Sequence, residues 1–394
     1  MNKVLGRSYT FDDLCIRPCF DNHENSSRLD PDVSTKIFRI NKNQYVDIRI
    51  PILNAPMDSV ISIELADLLI ECGTIPVFNR NLSDDNLKEI SERYDGYDVI
   101  MSIGANIEEA KKMIDSGFNM LLIDVANGHT RRMEKTINEI KRYRSNTLVM
   151  AGNVCTGRAY FDLVNWGADS VRVGIGPGAA CTTRMVTGIG VPQMTAIMDI
   201  AEEAEQLKVP FIADGGIRGS REVCLALAGG ANAVMLGKMF ALTEESAAEK
   251  IYHGCSEEQY HCIEKIKRKT SDIEEQIELL QQAKDDNGDD LFWGRFLSDW
   301  WKWLDSEKLA KFRGQASEDY QKDHYGGVRE GTVAEGVDFW APVSGSARDL
   351  IRSLIGGLRS CMTYVGSYHL KEFREKTKFY EVTSTYSIES NPRK

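Results

Sequence analysis

The sequence predicts an α/β fold, a closed (β/α)8 TIM barrel, from three observations. Short β-branched and apolar runs recur at eight places, segments of helical period separate most of them, and glycines or polar residues mark where nearly every run ends. Apolar runs without alternation are buried on both faces, as parallel strands are. Eight of them fit a closed barrel better than an open sheet, and in such barrels chemistry sits where strands end. The runs fall at residues 50–54, 75–78, 99–103, 120–124, 148–151, 170–173, 211–213 and 233–236. Between them stand IELADLLIEC, IEEAKKMID, TRRMEKTINEIKRY, RAYFDLVNWG, MTAIMDIAEEAEQL and SREVCLALAGG, whose apolar residues return at helical intervals. The strand ends 54–59, 79–81, 124–129, 152–156, 174–183, 214–216 and 237–238 are therefore expected to converge on one mouth.

Composition bounds the function. The 394 residues, 42% hydrophobic, suffice for one large core. With 48 basic against 59 acidic residues the net charge is -11, which argues against nucleic acid or an anionic membrane surface as the main partner. Any bound phosphate must be held locally. No apolar run approaches the roughly 18 residues of a spanning helix, and MNKVLGRSYTFDD has no signal-peptide core, so a cytoplasmic protein is expected. Nine scattered cysteines without a CxxC pair read as reduced thiols. Cys72 and Cys224, in apolar helical contexts, read as small core residues.

The sixth run opens into GIGPGAACTTRMVTGIGVPQ, residues 174–193, which presents Cys181 among hydroxyls and an arginine. Glycines let a backbone approach a ligand closely, and a thiol becomes a nucleophile where cationic or dipolar groups lower its pKa. A dinucleotide-binding turn is the rival reading, since Gly174, Gly176 and Ala179 fit G-x-G-x-x-A and Asp199 lies downstream. Such a turn opens directly into a helix, whereas Gly188, Gly190 and Pro192 keep this segment irregular. A buried structural cysteine in a glycine-rich turn is the plain alternative.

GIGPGAACTTRMVTGIGVPQMTAI resembles the catalytic loop of the inosine monophosphate (IMP) dehydrogenase and guanosine monophosphate (GMP) reductase superfamily. Also similar to that family are APMDSV (55–60), DVANGH (124–129), AGNVCTG (151–157), ADGGIRGSREV (213–223), VMLGKMFA (234–241) and GGLRSCMTYVG (356–366). The resemblance covers roughly residues 8–242 and 311–380. It implies a barrel formed by residues 1–242 and 311–394, a purine nucleotide substrate, a nicotinamide cofactor and a homo-oligomer, usually a tetramer.

Carried onto this chain, the resemblance makes Cys181 the nucleophile and Thr183 with Glu335 a proton-relaying pair. Gly215 with Gly216, and Gly237, can direct backbone amides at an anion beside a helix N-terminus, or simply permit tight turns. The resemblance makes them, with Met57, Lys238, Arg313, Gly314 and Ser317, the substrate and phosphate site, and makes Asp214 a ribose ligand. Asp124, Asn127 and Gly128, with Asn79 and Arg80, are expected in the cofactor pocket. The backbone carbonyls of Gly174, Gly176 and Cys181 are candidate ligands of a monovalent cation, K+. Two positions depart from the family pattern. Ala179 stands where a serine commonly binds phosphate, and Asn79, beside Arg80, stands where reductases carry lysine. Arginine keeps the positive charge but does not readily lose a proton, so it orients or polarises and does not replace a lysine general acid.

Within the superfamily, RGQASEDYQKDHYGGVREGTVAEGVDFWAPVSG (313–345) resembles the reductase pattern, including its GGV triplet, and the longer dehydrogenase flap is absent. DVANG and TYVG agree with the reductase form. VPQMTAI is nearer to the dehydrogenases, and His324 with Tyr325 can imitate the Arg-Tyr pair by which those enzymes activate water. The expected activity is NADPH-dependent reductive deamination of GMP to IMP and ammonia through a Cys181 thioimidate, with NADH or NAD as the cofactor alternative. An IMP dehydrogenase without regulatory domains, making XMP with NAD, is the second reading, and a nucleotide-binding regulatory relative with weak catalysis is the third.

Residues 243–310 are the least family-like. Ile263, Ile266, Thr270, Ile273, Ile277 and Leu280 alternate at spacings of three and four, and LFWGRFLSDWWKWL carries four of the six tryptophans. A helical hairpin packed on itself and the barrel edge is expected, with an oligomer or partner contact, or a lid over the cofactor, as the other readings.

Overall fold

A computed structural model describes residues 4–21, 27–252, 264–266, 269, 308–383 and 385–386. Ahead of the barrel come β1 (Leu14–Ile16) and an antiparallel hairpin of β2 (Thr35–Arg39) and β3 (Tyr45–Ile48). All eight expected runs are strands: β4 (Ile52–Asn54), β5 (Val77–Phe78), β6 (Ile100–Ile103), β7 (Met120–Asp124), β8 (Leu148–Val154), β9 (Ser170–Val173), β10 (Phe211–Asp214) and β11 (Ala233–Leu236). They form one parallel sheet in the order β4-β11-β10-β9-β8-β7-β6-β5. A side chain bridges the two end strands. The fully buried Asn54 accepts from the Val77 amide at 2.8 Å and donates to the Val77 carbonyl at 2.7 Å, taking the place of a strand-to-strand ladder where β5 is only two residues long.

Side chains alternate between the two faces of each strand. One set, including Leu53, Val77, Ile100, Leu122, Met150 and Ile212, packs as a core with Ile37 and Phe38 of the hairpin. The hairpin covers the N-terminal ends of the strands, where the Arg39 amide donates to the Asp169 carbonyl just before β9. The opposite set, among them Ile52, Leu121, Val171 and Val173, packs against the surrounding helices. At the C-terminal end the inward positions become polar, with Asp124, Arg172 and Asp214 each two residues beyond an inward position of its strand.

The helices are α1 (Ile63–Cys72), α2 (Asp84–Arg93), α3 (Ile107–Asp115), α4 (Arg131–Tyr143), α5 (Gly157–Asn165), α6 (Thr183–Thr187), α7 (Gln193–Leu207), α8 (Ser220–Ala228), α9 (Lys238–Ala241), α10 (Glu318–Tyr325), α11 (Ala347–Val365) and α12 (Leu370–Lys376). The starts of α1 to α5 are fixed by the side chains of Ser62, Ser83, Asn106, Thr130 and Thr156, each accepting from a first-turn amide that has no partner within the helix. Helix α6 gives the segment after Cys181 one regular turn where the sequence reads as irregular, and it stops at Gly188 with φ +71°.

A second, antiparallel sheet holds β12 (Lys250–Tyr252), β13 (Lys308–Arg313) and β14 (Asp338–Pro342). The expected helical insertion over 243–310 thus begins and ends as paired strands, with Lys250 opposite Ala310. Of its seam residues only Ile266 is described, and it is buried; the tryptophan-rich stretch 291–304 lies outside the described residues. Finally β15 (Phe379–Glu381) pairs antiparallel with β1. Among the described residues no helix is long and apolar enough to cross a membrane.

Candidate active site

Cys181 is carried by the loop that follows β9. Gly174 opens this loop at φ +147°, and a Cβ there would lie 2.1 Å from the Asp214 carbonyl oxygen, so only glycine lets the ends of β9 and β10 approach this closely. Arg184 of α6 ties the loop to itself, donating to the carbonyls of Val191 at 2.5 Å and Ile175 at 3.3 Å. Residues 180–182 then meet the returning segment 335–337 in an antiparallel bridge between Cys181 and Gly336. The Val337 amide donates to the Ala180 carbonyl at 2.9 Å and the Thr182 amide to the Glu335 carbonyl at 2.8 Å.

This bridge brings together three side chains that the sequence keeps far apart. The Cys181 thiol donates to Thr183 Oγ1 at 3.3 Å, and that hydroxyl donates to Glu335 Oε2 at 2.7 Å. The result is an unbroken path for a proton between a thiol and a carboxylate, an arrangement suited to activating the sulfur as a nucleophile.

The three residues line a cleft of about 410 Å³ together with Met57, Arg80, Asp124, Gly174, Gly176, Asp214 and Gly314. Ala179 also lies on its wall, without a hydroxyl to offer. Gly215 and Gly216 turn at φ +90° and +79° against the same loop; a Cβ on Gly215 would stand 2.9 Å from Pro177 Cγ. Gly237 lies beside Met57 and Phe312.

The remaining expected residues are turned toward protein partners. The exposed Lys238 places its ammonium 5.2 Å from the Phe339 ring centroid. Arg313 pairs with Asp58 and Asp323, and Ser317 is fully buried, its hydroxyl accepting from the Tyr320 amide at the start of α10. Asn79 folds back onto the Arg80 carbonyl at 3.0 Å. The exposed Asn127 accepts from the His129 amide, and the Gly128 amide donates to the Asn153 carbonyl at 2.7 Å. Tyr325 accepts from Asn81 at 3.1 Å, and His324 Nε2 lies 3.6 Å from Asp58.

Beneath the cleft lies a charged layer that the sequence reading missed. Arg172 donates to Asp124 Oδ1 at 2.5 Å and lies 3.0 Å from Asp214 Oδ2, which also accepts from Asn153 at 2.8 Å. Burial alone would pull the Arg172 pKa down; Asp214 and Asp124 outweigh it and hold the guanidinium charged. The available signal was an arginine inside SVRV, a run otherwise suited to burial on both faces. Gln193 is a second omission; its amide donates to the carbonyls of Val173 at 2.9 Å and Asp214 at 3.1 Å.

Arg80 is half-buried on the cleft wall. Burial opposes its charge, but Asp124 and, after it, Tyr325 and Tyr320 raise its pKa overall. Asp124 Oδ2 and Arg80 Nε are buried without a hydrogen-bond partner among the described residues. An unused acceptor and an unused donor on one cleft wall suit a carboxamide, such as that of a nicotinamide ring. The cation set fits less well. The Gly174 carbonyl already accepts from Asn153 at 2.7 Å, and the Arg184 guanidinium stem runs against Gly176, where its fixed charge repels a second cation.

Comparison with known proteins adds the family context. The family model described as IMP dehydrogenase / GMP reductase domain matches residues 8–284 and 302–393. The chain is 36% identical over 278 residues to an inosine-5'-monophosphate dehydrogenase of Aquifex aeolicus, covering 70% of this chain and 47% of that protein. To the inosine-5'-monophosphate dehydrogenase of Cryptosporidium parvum it is 30% identical over 437 residues, 99% of this chain and 96% of the other. To a GMP reductase of Vibrio atlanticus it is 31% identical over 340 residues, 84% and 83%. The match spans about half the length of the Aquifex relative and nearly all of the Cryptosporidium one.

Proposed function

The chain belongs to the IMP dehydrogenase / GMP reductase family, and we propose that it is the reductase, converting GMP to IMP and ammonia. The observation that carries this reading is the hydrogen-bonded series Cys181, Thr183, Glu335. Reductive deamination needs a nucleophile at the purine 2-carbon and a proton for the departing amine, because an amide anion does not leave unaided.

On this reading the guanine ring lies with its 2-carbon against Cys181. As Sγ adds to that carbon, the thiol proton passes through Thr183 to Glu335. Glu335 returns a proton by the same hydroxyl to the 2-amino group, which leaves as ammonia while the carbon–sulfur bond remains. When bound, NADPH supplies the hydride that this carbon then accepts. Breakage of the carbon–sulfur bond frees IMP and leaves Cys181 as a thiolate, which takes a proton from solvent by way of Glu335 and Thr183. Asp214, held at Oδ2 by Arg172 and Asn153, keeps Oδ1 for a ribose hydroxyl. The turns at Gly215–Gly216 and Gly237 offer backbone amides to the phosphate, in place of the side chains of Arg313 and Ser317. Asp124 and Arg80 receive the nicotinamide carboxamide. A homotetramer follows from the family resemblance; NADPH is the proposed cofactor, with NADH the alternative, and the cytoplasm the proposed compartment.

One observation favours the dehydrogenase direction as a second reading. Arg80 on the cleft wall beside Asp124 has Tyr320 and Tyr325 as neighbours behind it, an arginine–tyrosine grouping that would orient water in place of the longer flap. Absorbance at the reduced-nicotinamide band, with GMP plus NADPH and with IMP plus NAD in parallel, separates the two. Loss of signal in the first mixture alone, abolished by Cys181→Ala, supports the reductase; a gain in the second alone supports the dehydrogenase. Nucleotide binding with silence in both mixtures would favour a regulatory role.

A further inference from the structure

Away from the catalytic cleft, three cysteines line one cavity of about 460 Å³ between β1, α8 and α11: Cys15, Cys224 and Cys361. Two of them are brought together by helix geometry. A Cβ on Gly357 of α11 would fall 2.3 Å from Ser220 Cβ of α8, so the absence of a side chain at Gly357 lets the helices approach unusually closely. One turn further along each helix, four residues on, stand Cys361 and Cys224. The Cys224 sulfur lies 3.8 Å from the Gly357 carbonyl oxygen, one turn before Cys361 on α11.

The pair is asymmetric. Cys224 is 5% exposed, whereas Cys361 is only partly buried. The closeness of the two thiols lowers the pKa of Cys361 and, with burial, raises that of Cys224. A partly exposed thiol beside a sheltered one, both on the wall of one cavity, is the arrangement of an attacking and a resolving cysteine. Cys15 is occupied separately, its sulfur 3.1 Å from the Tyr386 hydroxyl.

We propose that Cys224 and Cys361 are a redox-active dithiol, oxidised to a disulfide by a hydroperoxide that enters the cavity between α8 and α11. The Cys361 sulfur attacks a peroxide oxygen; a sulfur–oxygen bond forms, the oxygen–oxygen bond breaks, and the leaving oxygen departs with a proton as water or alcohol. Cys361 is then a sulfenic acid. The Cys224 sulfur attacks the Cys361 sulfur; the disulfide forms, the sulfur–oxygen bond breaks, and hydroxide leaves as water with the Cys224 proton. Two thiols are oxidised by two electrons and one hydroperoxide is reduced by two. The cross-link joins α11 to α8, the helix that leaves the Gly215–Gly216 turn. No nucleotide takes part, so the site stands whether or not the reading of the cleft does.

The full chain is treated with hydrogen peroxide, its remaining thiols are alkylated, and its peptides are mapped by mass spectrometry. A peptide pair joined through Cys224 and Cys361 is expected, absent in Cys361→Ser. In Cys224→Ser, dimedone should trap a sulfenic acid at Cys361. Recovery of both cysteines alkylated while other thiols in the same sample are oxidised, or a disulfide from either one to Cys15, would overturn the assignment. The first readout uses the unaltered chain, so a variant that fails to fold does not remove the test.

Discussion

Thr183 donates its hydroxyl to Glu335 at 2.7 Å across 152 residues of sequence. That bond joins the loop bearing Cys181 to the segment that leads into β14 of the second sheet. Neither half has a route for a proton alone, so the chemistry proposed at Cys181 depends on residues 335–337 meeting residues 180–182.

Replacing Thr183 by Ala or Glu335 by Gln should therefore lower turnover by about 10²–10⁴-fold, the usual contribution of a positioned acid or base. Nucleotide binding, measured by calorimetry, should change little. Cys181→Ala should abolish turnover and keep binding. An equal loss of binding and turnover in Glu335→Gln would mean that the carboxylate holds substrate and moves no proton.

Arg172 balances the buried Asp124 and the partly buried Asp214, and removing one partner of a buried ion group costs about 3–5 kcal/mol. Arg172→Met should lower unfolding stability by that order in a urea titration. Adding Asp214→Asn should recover part of the loss, because it removes one of the stranded charges.

Asn54 supplies both hydrogen bonds to the Val77 backbone where β4 and β5 lack a ladder. In Asn54→Leu, the Val77 amide and carbonyl lose these partners, each at about 1–3 kcal/mol. The urea midpoint should fall with an unchanged m-value, and amide exchange at Val77 should quicken relative to that at Ile123 of β7.

Burial, and then the neighbouring Lys308, pull the Lys250 pKa down to about 8, although its ammonium donates to the carbonyls of Ser246 and Ala248. An unfolded lysine titrates near about 10.4. Between these values the unfolded chain binds more protons, so this group's contribution makes stability rise with pH from about 8 upward and level off above about 10.4. The difference in melting temperature between the wild type and Lys250→Met should shift in favour of the wild type across that window.

The eight strands were legible because each is a short, largely apolar run, as burial on both faces demands. Helix α2 was not, since DDNLKEISER buries only Leu87 and Ile90 and its period is thin. Nor was the β2–β3 hairpin, whose strands mix Lys36, Arg39 and Asp47 with the residues they bury. At the site, Cys181, Thr183 and Glu335 came from motif resemblance, and their contact required the fold. Arg172 escaped notice because its partners stand 48 and 42 residues away on other strands, a proximity that only the closed barrel creates. Arg313 and Ser317 were carried over as substrate ligands, but local acidic side chains and a helix start engage them in this structure.

The most direct test is the stoichiometry of ammonia release against NADPH oxidation with GMP as substrate. The reductase releases one ammonia for each NADPH consumed, and none when Cys181 is replaced by alanine. No ammonia from GMP, together with xanthosine monophosphate formed from IMP and NAD, would contradict it.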